Sequence, residues 1–333
     1  MDGPHLKKFG LIIILIFFSL LCPLKPTAIG NTNNPFIIII FNTIARTYYY
    51  NYDLKTNTYK TIYFKENTGC YSDGLLATDG SCLYYTDNVN GNYNLYKVKT
   101  NGSPSDSIRL TENIKIDMIC LGRNKIFCRS RQKNHSNYSI AILNLLNNKL
   151  DVCYKEETDS DVFKLQYNQF THKIYTIERS IEEMNTLHLP HLPLNRIVEY
   201  DENGNKIKEL FQMKGFINDI SVSKDGRVAL VSVSGAKPIN EIYAINLNTL
   251  SKKLIIKSTM DYIATHPILS WDGKGFYFLA VFSDSKVLLD DGQHVESSRG
   301  IYYYDLTTKK SSKIFNKNGG FINEYNLQYT ESE

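Results

Sequence analysis

The chain is 333 residues long, with 42% hydrophobic and 22% charged residues and a formal charge of +4, the balance of an ordinary globular protein. So small a charge, with no stripe of Lys and Arg interleaved with aromatics, excludes nucleic acid as a partner. The 24 Tyr, with frequent Ile, Asn and Thr, lean toward strands joined by tight turns.

Residues 1–30 read as an export signal. Lys7 and Lys8 precede an apolar run from Phe9 to Cys22, followed by Pro23 and the small-residue stretch Thr27-Ala28-Ile29-Gly30. The run has the length of a signal-peptide core and is short for a membrane-crossing helix, so cleavage near Gly30 is expected, with an N-terminal anchor as the alternative. Residues 31–333 then form one exported domain, extracellular or bound to the cell envelope. Five cysteines follow the signal: Cys70, Cys82, Cys120, Cys128 and Cys153. An odd number leaves at least one thiol unpaired in a monomer. Cys120 and Cys128 lie symmetrically about Asn124 in a predicted hairpin, placed either to face each other or to serve as small buried hydrophobes.

Phe36 to Phe41, Arg46 to Leu54 and Tyr59 to Phe64 supply three strands, with nothing before Pro35 to supply a fourth. The next unit is complete. Leu75-Leu76-Ala77 leads into the turn Asp79-Gly80, Leu83 to Thr86 follows, Leu95 to Val98 comes after the turn at Asn88 to Gly91, and Ile108 to Leu110 finishes. The third strand of every unit ends on a recognisable triplet, such as Tyr52-Asp53-Leu54, Tyr96-Lys97-Val98 and Tyr304-Asp305-Leu306. Six triplets give six four-stranded units. Phe321 to Tyr329 matches an innermost strand and has no hairpin partner of its own, so it completes the first unit. The predicted fold is all-β, a six-bladed β-propeller of four-stranded antiparallel blades whose ring is closed by the C-terminal strand.

The Asp-Gly turns after Ser or Thr, at Thr78 to Gly80, Ser223 to Gly226 and Ser270 to Gly273, resemble the repeat of TolB-like propellers. Leu83 to Asp87 followed by Leu95 to Gly102 is similar to bacterial relatives of the YWTD-type propellers. The resemblance covers nearly the whole chain after the signal and implies the fold; propellers host both binding proteins and enzymes. The proline usual before Asp-Gly in the TolB repeat is replaced by Thr78, Lys224 and Trp271.

One position of the repeat is acidic in five units: Asp73, Asp117, Asp161, Asp219 and Glu324, with His266 in the sixth, at intervals of 44–58 residues. Asn218 and Asn323 precede two of these. Read as a set, they form a ring of carboxylates at the channel mouth, able to hold a divalent cation such as calcium or a basic group; read singly, each caps the turn entering its strand. Two units carry insertions between their second and third strands, at Ser180 to Asn195 and Asp284 to Gly300, on the face shared with the acidic series. His188, His191, Asp290, Asp291 and His294 in these loops are further candidates for ligand contact. No Gly-x-Ser-x-Gly elbow, phosphate loop or dinucleotide fingerprint is present. The expected function is a monomeric, non-catalytic module binding an envelope or extracellular protein, a peptide or a small ligand. The alternative is a metal-dependent hydrolase or lactonase using Glu324, Asn323, Asn218 and Asp219.

Overall fold

Short apolar runs punctuated by turns fold into six antiparallel sheets of four strands each. The computed structural model describes residues 35–69, 72–153, 159–187, 191–235, 239–259 and 262–329. The export signal, Cys70 and His188 lie outside them. The described residues belong to one compact unit, Asn33–Glu333.

The first blade contains β1 (Pro35–Asn42), β2 (Arg46–Asp53) and β3 (Thr58–Glu66), and the second β4 (Gly74–Leu76), β5 (Cys82–Val89), β6 (Asn92–Lys99) and β7 (Ile108–Arg109). The third contains β8 (Ile114–Leu121), β9 (Lys125–Gln132), β10 (Ser139–Asn144) and β11 (Leu150–Cys153). The fourth contains β12 (Asp161–Asn168), β13 (Lys173–Arg179), β14 (Leu194–Tyr200) and β15 (Lys206–Lys214), with the short helix α1 (Ile181–Asn185) between its second and third strands. The fifth contains β16 (Phe216–Val222), β17 (Val228–Ser234), β18 (Asn240–Asn246) and β19 (Lys252–Lys257). The sixth contains β20 (Tyr262–Leu269), β21 (Gly275–Leu288), β22 (Val295–Asp305) and β23 (Lys310–Asn316).

The last strand, β24 (Phe321–Tyr329), joins the first blade as its innermost member, in the order β24-β1-β2-β3. It runs antiparallel to β1 from Pro35 opposite Tyr329 to Asn42 opposite Phe321. The ring closes through the C-terminus, as the sequence predicts, and no inner edge is left unpaired in this blade. The chain turns into β24 at Gly320, where a Cβ would collide with the Asn42 carbonyl oxygen.

The core lies between blades. In β1, Ile37 to Ile40 have no exposed surface. Strand geometry sends alternate side chains to opposite faces, so Ile38 and Ile40 pack with Leu76, Leu83 and Tyr85 of the second blade, while Ile37 and Ile39 pack with Leu279 and Ile301 of the sixth. That two-sided burial explains an unbroken apolar run in place of alternation. Inner strands are also stitched to their neighbours by side chains that replace ladder partners. Gln328 accepts from the Leu76 amide at 2.8 Å and donates to the Leu76 carbonyl at 2.9 Å. Gln166 accepts from Val222 at 2.7 Å, and Ser221 from Leu269 at 2.9 Å.

The blade-internal turns follow their residues. Gly80, Gly226 and Gly273 take φ of 70°, 72° and 67°, the left-handed region that glycine enters at no steric cost. Asp79 and Asp225 accept backbone hydrogens from Ser81 and Arg227 within the same turns.

One expectation needs revision, and one of two alternatives falls away. The insertion at Asp284 to Gly300 is a prolongation of β21 and β22, paired from Lys286 opposite Ser297 to Leu288 opposite Val295. Its tip reaches the first blade, where Asp290 accepts from the Ile44 amide at 2.8 Å, and Leu289 bridges to Gly319 just ahead of β24. Cys120 and Cys128 do not face each other: Cys120 lies opposite Phe127 and Cys128 opposite Ile119, so the two sulfurs leave opposite faces of the hairpin. Cys82, Cys120 and Cys128 are free thiols.

Candidate functional site

Where each inner strand places its side chains is decided by β-bulges. In β24 the register jumps between Ile322 and Glu324, leaving Asn323 unpaired. In β16 it jumps between Ile217 and Asp219 past Asn218, in β8 between Ile116 and Met118 past Asp117, and in β12 between Val162 and Lys164 past Phe163. A bulge re-aims the residue after it. The residues delivered to the axis are therefore Glu324, Asp219, Met118 and Lys164. Asp73, just ahead of β4, and His266, within the irregular stretch of β20, complete a set of one per blade lining a single cavity of about 430 Å³.

The ring of carboxylates thus holds in three units and fails in two. Asp117 sits instead between Lys115 and Arg129, at 3.6 and 3.7 Å, and Asp161 accepts from the Tyr138 amide at 2.7 Å. Lys164 takes the fourth blade's place at the axis, and a cation there inverts the electrostatics of the site. Its ammonium lies 3.2 Å from Asp219 and 3.6 Å from Glu324, and the His266 Nε2 lies 3.3 and 3.2 Å from the same two carboxylates. Two cations and two anions from four successive blades form a neutral cluster.

Burial alone would raise the carboxyls of Asp219 and Glu324; the charges of His266 and Lys164 overcome it and hold both below the ordinary range, Glu324 at about 2. Burial would likewise lower Lys164 and His266, and the facing carboxylates raise both instead. Among the described residues, no cation lies within ion-pair distance of Asp73. Burial first, and then the Glu324 charge, push its carboxyl up to about 6. It accepts from the Ile119 amide at 2.9 Å, the Gly74 amide at 2.8 Å and the Asn326 side chain at 2.7 Å, tying the second blade to the third and the first.

Asp219 accepts from Ser232 of its own blade at 2.6 Å and reaches the next blade through Thr265 at 3.0 Å and the His266 amide at 3.2 Å. His266 has φ of 50°, and its carbonyl accepts from the Tyr325 hydroxyl of the first blade. Its Nδ1 is buried without a hydrogen-bond partner among the described residues. Asn218 donates to Ser234 and Asn240 at 3.0 and 2.9 Å, and Asn323 to the Ser72 carbonyl at 3.1 Å. Both stand beside the cluster rather than in it.

From the cluster the cavity passes an apolar stretch that includes Leu121, Leu165, Ile268 and Leu327, and ends among the turns joining first and second strands. In antiparallel blades those turns lie on the face opposite the two insertions. At this mouth Thr78, Arg123 and Lys224 are exposed beside the half-buried Phe170, Trp271 and Tyr329. Phe170 and Trp271 meet edge to face with centroids 4.3 Å apart, Trp271 and Tyr329 lie 4.7 Å apart, and the Lys224 ammonium stands 4.7 and 4.5 Å from the first two rings. The sequence marks Trp271 only as the residue before an Asp-Gly turn; Lys164 carries no signal, because the period aligns Asp161 to its place.

The insertion residues are bound into the fold. Asp290 caps Ile44, and Asp291 accepts the amides of Gln293 and His294 at 3.0 Å and pairs with the His294 ring. Ser180 caps α1 by accepting from Glu183 at 3.1 Å, and Asp159 accepts from the Glu182 amide at 2.9 Å. His191 is exposed. Among the described residues, no group of three or more His, Cys, Asp or Glu side chains is arranged to hold a metal ion.

No family model matches the chain. It is similar to the uncharacterised protein YdjN of Bacillus subtilis, 33% identical over 127 residues, which are 36% of this chain and 36% of the relative, so the match spans about a third of that protein's length. Among solved structures it is similar to TolB from Acinetobacter baumannii, with a TM-score of 0.58 at 12% identity over 98% of this chain and 73% of that one. An oligogalacturonate lyase in complex with manganese gives 0.55 at 15% identity over 83% and 74% of the two chains. A chain of a nidogen/laminin complex gives 0.55 at 10% identity over 87% and 98%. These likenesses show the fold, a TolB-like six-bladed propeller.

Proposed function

We propose that this protein is an exported, non-catalytic binding module of the cell envelope that receives a protein segment, a peptide or a small ligand in its axial cavity. The observation that carries the reading is the cavity itself. It is of ligand size, it reaches the surface among the strand turns, and at its inner end Lys164 and His266 neutralise Asp219 and Glu324. The insertion hairpin is tied to the first blade through Asp290, which favours the turn face over the insertion face for binding. Lys7-Lys8 and the apolar run to Cys22 support export, and no helix among the described residues is long and apolar enough to cross a membrane.

The test is capture from a native envelope extract by the immobilised chain, by Thr78→Trp, which obstructs the mouth, and by Leu288→Ser/Val295→Ser on the insertion hairpin. Capture lost only in Thr78→Trp supports the cavity. Capture lost only in the hairpin variant overturns it in favour of the insertion face.

A second reading, a metal-dependent hydrolase or lactonase using Asp219, Glu324, Asn218 and Asn323, draws support from the manganese-bound lyase that shares the fold. Lys164 and His266 stand against it, because a divalent cation would have to displace two resident positive charges. Calcium that raises the melting temperature in a saturable way, and no longer does so in Glu324→Gln, would favour this reading.

A further inference from the structure

The mouth of the cavity carries positive charge that no carboxylate among the described residues neutralises. Among the described residues, neither Lys224 nor Arg123 has a carboxylate within ion-pair distance. Other basic residues of the same turns do: Arg227 lies 3.8 Å from Asp225, and Lys274 3.7 Å from Asp272. The three turn aspartates face back into their own turns, Asp79 toward Ser81, Asp225 toward Ser223 and Asp272 toward Ser270. They leave the opening to the cations. Lys224 is held in place by the faces of Phe170 and Trp271, a contact that positions an ammonium while leaving its hydrogens free to donate.

We propose that this mouth binds a ring-bearing anion: a flat ring lying in the aromatic group of Phe170, Trp271 and Tyr329, with its carboxylate met by Lys224 and Arg123. Charge complementarity requires the anion, since a carboxylate entering here finds two cations with no carboxylate to displace. The three rings supply flat apolar contact of the kind that sugar faces and aromatic rings both accept. Beyond them, the wall of Leu121, Leu165, Ile268 and Leu327 takes a weakly polar body, and the inner end, where Asp73 adds a carboxylate to the balanced set of Lys164, His266, Asp219 and Glu324, does not draw an anion past the mouth. The shared chemistry belongs equally to an acidic sugar and to an aromatic acid.

The inference rests on the axial cavity being the binding site, and its test separates the two. Trp271 is the single tryptophan of the chain, so its selectively excited emission reports the mouth directly. The full chain is titrated with digalacturonate, with 4-hydroxyphenylacetate and with the neutral disaccharide cellobiose. The expected result is a saturable change in emission with one of the two acids, which identifies the source, and binding of cellobiose weaker by at least about tenfold. Arg123→Met, which leaves the tryptophan's surroundings alone, weakens the acid about fivefold, as does added salt. Lys224→Met gives a loss of the same size. Equal affinity for cellobiose, or an unchanged Kd in both variants, overturns the anion while leaving the cavity reading intact. No saturable response to either acid overturns the inference as well. If Thr78→Trp also captures partners as well as the unaltered chain does, the cavity reading falls independently.

Discussion

The ammonium of Lys164 and the carboxylate of Asp219 stand 3.2 Å apart at the axis, on inner strands of adjacent blades, each delivered there by a bulge one residue earlier. At that distance the gross attraction is about 5 kcal/mol for an effective dielectric of 20, and desolvation of two buried ions offsets much of it. The asymmetry matters more than the net value, because removing one partner strands the other.

Lys164→Met is accordingly expected to destabilise the fold by about 3–5 kcal/mol, leaving Asp219 and Glu324 facing each other with only His266 between them. Asp219→Asn should cost a similar amount: its oxygen can still accept from Ser232, Thr265 and the His266 amide, but an amide NH2 then faces the Lys164 and His266 cations. The double variant should cost clearly less than the sum. Denaturant unfolding of the four proteins gives the coupling, and strict additivity would show that the pair does not interact.

The pH dependence has two limbs of opposite sign. Asp73 is raised in the fold from 3.8 to about 6, so its contribution is fully present below pH 3.8 and is lost as pH rises through 6, a decline of about 3 kcal/mol. Glu324 is lowered from 4.5 to about 2, so its contribution is present above pH 4.5 and is lost as pH falls toward 2. Asp73→Asn should flatten the profile between pH 4 and 6 whatever it does to absolute stability, and Glu324→Gln should flatten the acid limb. Unchanged profiles in these variants would refute the assignment.

Closure of the ring through β24 predicts that a chain ending at Asn318 fails to fold. It lacks every partner of β1 on its inner side, together with Glu324, Asn326 and Gln328, which hold the neighbouring blades. Soluble, cooperatively melting truncated protein would contradict this. Gly320→Ala, which meets the Asn42 carbonyl, should show a milder loss by the same measurement.

The hairpin prolonging the sixth blade should act as a fastener across the closing seam. Asp290→Ala removes the acceptor of the Ile44 amide and should cost about 1 kcal/mol. Hydrogen exchange distinguishes this from a general loss: protection should fall at Ile44 while the β1 amides remain slow. Uniform acceleration across the first blade would argue otherwise.

Export is checked by the intact mass of protein from the native host, where loss of residues 1–30 is expected. A full-length cytoplasmic product would end that reading, and a lipid adduct on Cys22 would favour anchoring.

The number of blades is legible in the sequence because turn chemistry is local: Asp79-Gly80, Asp225-Gly226 and Asp272-Gly273 announce their geometry within two residues, and the strand-ending triplets repeat the frame. The axial cluster is not legible in the same way. A bulge adds one residue to one strand without any residue type of its own, so Asp117 aligns with Asp219 by period while Met118 occupies the matching place in space. The fourth blade is further displaced, with Lys164 three positions beyond the acidic residue that the repeat selects. The insertion at Asp284 to Gly300 reads as a loop because its paired residues carry no alternating apolar pattern; Leu288 and Val295 are each 55% exposed, while Leu289 between them is buried. Of the mouth, Trp271 and Lys224 are visible as departures from the proline of the TolB-like turn, with nothing to say that they meet.

The axial cluster also bears on how such a chain can change over generations. Propellers built of equivalent repeats can gain or lose a blade by duplication or deletion with little penalty at the hub. Here four successive blades bring two positive and two negative charges, and their sum is zero only when each positive residue is matched by a negative one. A second copy of the fourth blade would set an unmatched ammonium at the axis, and loss of the sixth would leave two carboxylates to one lysine. Gain or loss of any single one of these four blades is thus opposed at the hub.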